Sequence, residues 1–207
     1  MKMHSIGPKK SEQNLLPQDG VMIYRPDLFG PVEASEYLMK LKETMEWEQP
    51  SIKLWGKLIS VPRLTAWYGD PEATYKYSGI INLPKPWTKD LLKIKSVVEQ
   101  ASGHQYNSVL LNYYRDGSDH MSWHADDEKS LGENPVIASV SFGEVRKFGV
   151  KHRYDKNLES LSFELGNGSL VLMKGEMQEF WHHRIHPTKK LLGPRINLTF
   201  RKVFTSS

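Results

Sequence analysis

The chain has 207 residues, a net charge of +4, 11% aromatic residues and no cysteine. That length suits one domain with a sizeable core, and the missing cysteine excludes disulfides, thiolate metal sites and cysteine nucleophiles, so any metal must be held by His, Asp or Glu. The mild basicity fits a polyanionic partner, and no apolar run is long enough to span a bilayer, so the chain reads as an intracellular protein without a membrane anchor.

In chain order, Met1–Gly20 is polar, with Gly7-Pro8-Lys9-Lys10, and predicts a flexible leader (1–20) ahead of a single domain (21–207). After Pro31 the segment Val32–Glu48 carries Ala34, Tyr37, Leu38, Leu41 and Met45 at helical spacing. Trp55 stands in a turn-like setting beside Gly56, and Tyr75 and Tyr77 alternate on an expected hairpin. A second helix begins with Thr88 as cap and Asp90 in its first turn, buries Leu91, Leu92, Ile94, Val97 and Val98, and stops at Gly103. From Asn107 the pattern changes to short strands near Val109–Tyr114, Met121–Ala125, Val136–Phe142, Lys147–His152, Ser160–Glu164, Ser169–Met173, Glu179–Ile185 and Arg195–Val203. Turn signals such as Asp116-Gly117 and Gly166-Asn167-Gly168 separate them. The expected fold is mainly β (α+β): a sandwich or jelly roll over 107–203, with two preceding helices bracing one sheet.

The last strand carries the first chemical signal. In R-I-N-L-T-F-R, Arg195, Asn197, Thr199 and Arg201 share one face and Ile196, Leu198 and Phe200 the other. A face with two permanent cations either lies open to water or lines a pocket that holds an acid. His124 and Asp126, two apart, leave one face of a strand, and a downstream His from the doublet His182-His183 would complete two imidazoles and a carboxylate. That set leaves open positions on ferrous iron; strand periodicity does not choose between the two histidines. Two of those positions suit a chelating keto acid and one suits oxygen, with Arg195 pairing the remote carboxylate of the acid. Asn112 and Tyr114 alternate just before and can add hydrogen bonds; read alone, they are a sheet face with satisfied polar groups. His120, His152 and His186 read as solvated.

These residues resemble the AlkB family of iron- and 2-oxoglutarate-dependent nucleic-acid dealkylases, most of all its members that repair double-stranded DNA. The resemblance runs from about Ile52 to Val203. It rests on W-G-K at Trp55–Lys57, V-P-R at Val61–Arg63, Y-G-D at Tyr68–Asp70, P-K-P-W at Pro84–Trp87 and L-N-Y-Y-R-D-G at Leu111–Gly117. It continues with H-A-D-D-E at His124–Glu128, I-A-S-V-S-F-G at Ile137–Gly143 and P-R-I-N-L-T-F-R at Pro194–Arg201. By position the resemblance implies Fe(2+) ligands His124, Asp126 and His183, the last chosen by W-x-H spacing. It implies 2-oxoglutarate contacts from Asn112, Tyr114, Arg195, Asn197 and Arg201, O2 as second co-substrate, and a double-stranded β-helix.

The resemblance also makes residues 50–80 a nucleotide-recognition region. Tyr75 and Tyr77 would line the site of a flipped base, and Trp55 would be an aromatic finger filling the gap it leaves. Arg63 joins the candidate substrate contacts. Asp127, and less directly Glu128, would favour cationic lesions such as 1-methyladenine and 3-methylcytosine. Lys53, Lys57, Arg115, Lys151, Arg153, Lys189 and Lys190 are available for phosphates, although Thr188 replaces a cation and the loop near His152 is short, which weakens an inference of duplex preference. The expected activity is oxidative removal of N-methyl groups from DNA bases by a monomer, cytoplasmic in a bacterium and nuclear in a eukaryote. Methylated RNA as substrate, a non-catalytic lesion binder and a small-molecule hydroxylase are the alternatives.

Overall fold

A computed structural model describes residues 13–54, 56–77 and 80–204. The chain enters through β1 (Val21–Arg25) and turns at Pro31 into α1 (Pro31–Thr44). It then forms the hairpin β2 (Ser51–Leu54) and β3 (Lys57–Ser60), the strand β4 (Leu64–Gly69), and the hairpin β5 (Tyr75–Tyr77) and β6 (Ile80–Asn82). Short β7 (Lys85–Pro86) leads into α2 (Lys89–Ser102). Strands dominate thereafter: β8 (Ser108–Tyr114), β9 (Met121–His124), β10 (Ile137–Gly143), β11 (Arg146–His152), β12 (Leu161–Leu165) and β13 (Ser169–Lys174). A helical turn, α3 (Met177–Phe180), precedes β14 (Trp181–Ile185) and β15 (Arg195–Arg201).

Two sheets result, in the orders β1-β13-β10-β15-β8-β4-β7 and β12-β11-β14-β9. From β8 to β15 the chain passes back and forth between them, except that β11 and β12 form a hairpin in the smaller sheet, which is the jelly-roll wiring expected from the sequence. Strand β15 lies at the centre of the larger sheet, and its alternation separates two cores. Ile196, Leu198 and Phe200 pack with Leu41 of α1 and with Leu91, Ile94 and Val98 of α2. On the opposite side, Phe148, Val150, Val171, Met173, Trp181 and Ile185 form the apolar part of the space between the sheets. Among the described residues no helix is long and apolar enough to cross a membrane.

Local signals account for α2: the Thr88 hydroxyl accepts from the Leu91 amide at 3.2 Å, and Gly103 closes the helix at φ 72°. Helix α1 ends at Thr44, short of the expected Glu48, because the Glu48 backbone exchanges bonds of 2.8 and 2.7 Å with Thr65. Glu179 and Phe180, expected in a strand, belong to the turn α3. Strands β1, β2, β3, β4 and β7 have no counterpart among the strands expected from the sequence; short apolar runs without clear alternation leave helix and strand unresolved.

The expected leader also differs in part. Leu16 is buried, Trp181 Nε1 donates to the Gln18 carbonyl at 3.2 Å, and Asp19 Oδ2 meets His152 Nε2 at 3.1 Å. Residues 14–20 are thus tied across β14. The expectation that His152 is solvated fails for the same reason: its ring packs 4.9 Å from Trp181 and 5.9 Å from Phe180. His120 and His186 are half-buried rather than solvated, His186 accepting at Nε2 from Arg184 Nε at 3.1 Å.

Candidate active site

Antiparallel pairing of β9 with β14 sets His124 opposite His183, and the chain leaving β9 brings Asp126 to the same place. One ligand atom from each lies within 4.8 Å of the others, a spacing that can hold a metal ion. His182, on the other face of β14, is not part of this cluster. His124 Nδ1 lies 2.9 Å from the Ser122 carbonyl. A carbonyl only accepts, so Nδ1 carries the proton and Nε2 keeps its lone pair.

Burial drives the His183 imidazolium down to about 3, aided by His124 and opposed by Asp126. It is therefore neutral near pH 7, as a metal ligand must be. Burial pushes the Asp126 carboxyl up, but Arg201, His183 and His124 outweigh it and hold the group below its ordinary value. Arg201 Nη2 donates directly to Asp126 Oδ1, and the Asp126 amide donates to Gln178 Oε1 at 2.9 Å. Both side chains fix the acid from outside the cluster.

The same pocket is lined by Asn112, Tyr114, Arg195, Asn197 and Arg201. Arg195 is only 1% exposed. Its Nη2 donates to Ser141 Oγ at 2.9 Å, whereas Nε and Nη1 are buried without a partner. Burial lowers its pKa to about 10, with Tyr114 opposing, which leaves it charged at neutral pH. A sealed cation with unused donors calls for a planar anion, so the residues present fit the remote carboxylate of a dicarboxylic keto acid. Asn197 is already committed: Nδ2 donates to Ser139 Oγ at 2.7 Å and to the Val140 carbonyl at 2.9 Å, and Oδ1 accepts from Thr199 at 3.1 Å. Asn112 Oδ1 accepts from Arg63 Nε at 2.7 Å.

Three of the expected substrate residues, Arg63, Asp127 and Glu128, are not among the side chains that line this pocket. Arg63 supports Asn112 and does not line the pocket. Asp127 is exposed and pairs with Arg153 at 3.2 Å, while Glu128 lies 3.8 Å from Arg201. Arg115 is engaged by Asp119 at 2.7 and 2.9 Å rather than free for phosphate. Tyr75 and Tyr77 occupy β5 opposite Asn82 and Ile80, and Trp55 lies outside the described residues. Ser139, Ser141 and Gln178 escaped sequence reasoning. The S-V-S alternation in β10 was a usable signal, since Ser141 and Ser139 face Asn197 and Thr199 in register. Gln178, in a one-turn helix, offered none.

The model of the 2OG-Fe(II) oxygenase superfamily matches residues 21–201. DNA oxidative demethylase ALKBH2 of Bos taurus is 39% identical over 189 residues, covering 87% of this chain and 68% of that protein. The Homo sapiens protein of the same name is 37% identical over 209 residues, with 97% and 79% covered. Alpha-ketoglutarate-dependent dioxygenase alkB homolog 3 of Homo sapiens is 39% identical over 187 residues, covering 86% of this chain and 65% of its own length. The structure of OsALKBH1 superposes with a TM-score of 0.62 at 15% identity, covering 87% of this chain and 97% of that one. At that identity it speaks for the fold alone.

Proposed function

The chain belongs to the 2OG-Fe(II) oxygenase superfamily and, within it, to the AlkB family, and from that premise we propose that it is a DNA oxidative demethylase acting on N-methylated bases such as 1-methyladenine and 3-methylcytosine. Its chemistry is that of an iron(II)- and 2-oxoglutarate-dependent dioxygenase. The observation that carries the reading is a single pocket holding both the His124–Asp126–His183 cluster and the buried Arg195 with two unpaired donors.

In this reading His124, Asp126 and His183 hold the iron. Bound iron, 2-oxoglutarate and O2 together supply the oxidation of the methyl carbon, which leaves as formaldehyde while the co-substrate becomes succinate and CO2. Arg195 would take the remote carboxylate of 2-oxoglutarate with its unspent N–H donors, while Ser141 holds Nη2 in place. Arg201 keeps Asp126 ionised and aimed, which makes it a positioning residue for the metal acid as well as a wall of the co-substrate pocket. Tyr114, Asn112 and Asn197 line the pocket, the two amides held rigid by Arg63 and Ser139. Tyr75 and Tyr77 receive the base taken out of the stack, and Trp55 fills the gap it leaves. Asp127 and Glu128 add negative charge beside the metal acid, favouring a cationic lesion over a neutral base.

The test is turnover. Purified protein with iron(II) and 2-oxoglutarate is offered 1-methyladenine in single-stranded DNA, duplex DNA and RNA, and formaldehyde is measured. DNA substrates should release it, and Asp126→Ala should abolish both formaldehyde and succinate while oligomer binding persists. Release from RNA alone would transfer the activity to RNA, and release from none would end the proposal.

A further inference from the structure

The four-stranded sheet has a second face, turned away from the pocket. Phe148 and Val150 of β11 are buried between the sheets, so Gly149 and Lys151 point the other way. Across β14 the same holds for Arg184, between the buried His183 and Ile185. Trp123 of β9 spans this surface. A Cβ added to Gly149 would lie 2.5 Å from His186 Nε2 and 3.2 Å from Trp123 Cη2, so the indole reaches over β14 and, with the imidazole, covers a position on β11 that only glycine fits.

Two cations are gathered on that ring. Lys151 Nζ lies 4.6 Å from its centre and Arg184 Cζ 4.3 Å. Arg184 is further fixed by donating to His186 Nε2 at 3.1 Å, and an imidazole nitrogen that accepts carries no proton to repel it. Among the described residues, neither Lys151 nor Arg184 has a carboxylate within 4.0 Å. Arg153, in the bend just after β11, pairs with Asp127 beside the metal acid and donates to the Gln178 carbonyl at 3.3 Å. The cationic track thus leads from this face to the pocket mouth.

We propose that the Trp123–Lys151–Arg184 ridge grips the phosphodiester backbone of the nucleic-acid strand that flanks the base held in the pocket. The inference rests on the nucleic-acid reading above and adds a second contact region to it. An indole with cations over it is a poor surface for an apolar partner and a rigid one for a repeating anion: the ring holds both side chains in place before the strand arrives, so less freedom is lost on binding. Phosphates carry no sequence information, so this grip serves any sequence around a lesion.

Fluorescence anisotropy with a short, unalkylated single-stranded DNA over a range of KCl tests it. Lys151→Gln with Arg184→Gln should lose about tenfold or more in affinity at low salt, and the log–log salt dependence should flatten by about 1.4 for two lost contacts at roughly 0.7 each. Trp123→Leu should weaken binding by less and leave the salt slope unchanged, because both charges remain. Co(II) affinity, measured by chelator competition, tracks the pocket separately. If it falls together with oligomer affinity, the residues act through the metal cluster and the proposal is overturned. Unchanged affinity and salt slope in the double variant also overturn it, even while the unmodified protein demethylates DNA. An unmodified protein that turns over no nucleic acid instead overturns the proposed function, and is recognised by the absence of formaldehyde.

Discussion

Arg195 shows how one side chain can declare a ligand. Its charge is sealed from water, one nitrogen is spent on Ser141, and two are left over. Arg195→Met should raise the KM for 2-oxoglutarate by about 10- to 100-fold, the loss of charge-assisted bonds, while Co(II) affinity holds; succinate formation against co-substrate concentration reads this. Arg195→Lys should recover only part, since an ammonium cannot present a fork. His183 makes a pH prediction for the metal-free protein. Its folded value of about 3 lies below the ordinary 6.5, so between those limits the unfolded chain takes up a proton the native state refuses. Stability is full above about 6.5 and is lost as pH falls through that window. Asp126, also depressed, adds loss in the same direction at still lower pH. Urea unfolding at neutral pH and near about pH 5 should show the drop, and His183→Asn should flatten it. The alternation of Arg195, Asn197 and Thr199 was legible in the sequence; that the Asn197 amide is spent on Ser139 and Val140 was not, because those partners come from β10.

Strand β15 presents its apolar face to the helices and its polar face to the pocket, and where it starts determines where Arg195 points. Its first residue pairs with Gly143 at the end of β10. Gly143 sits at φ +94°, and a Cβ there would lie 2.3 Å from the Pro194 carbonyl. Gly143→Ala should therefore destabilise the fold by about 1–3 kcal/mol, read by denaturant unfolding, and should also raise the KM for 2-oxoglutarate through displacement of Arg195. Elements with local punctuation, such as α2 between Thr88 and Gly103, were readable residue by residue. Ends set from afar were not. The Glu48 bridge to Thr65 ends α1, and the turn α3, whose last two residues read as strand, places Gln178 under Asp126.

At the scale of the molecule, two sheets must be held at the spacing that leaves a pocket between them, and Arg146 is central to this. It is 2% exposed and donates to the carbonyls of Asp116, Asp119 and His186 at 3.1, 2.7 and 2.8 Å. Those carbonyls belong to the loop joining β8 to β9 and to the segment after β14, so one guanidinium ties the co-substrate strand to both histidine strands. Arg146→Leu should cost about 3 kcal/mol or more, since it strands buried acceptors, and a thermal melt should show a large fall in Tm. Side-chain chemistry, a period of two and the order of motifs are local properties, and they made the candidate metal-ligand residue types, the two faces of β15, the jelly-roll class and the family legible in the chain. Packing across the fold is what makes Arg201 hold Asp126, Arg63 support Asn112, residues 14–20 dock and Trp123 gather two cations. Each of those is a contact between residues far apart in the chain, and no local pattern records which distant side chain will fill a neighbour's unused valence.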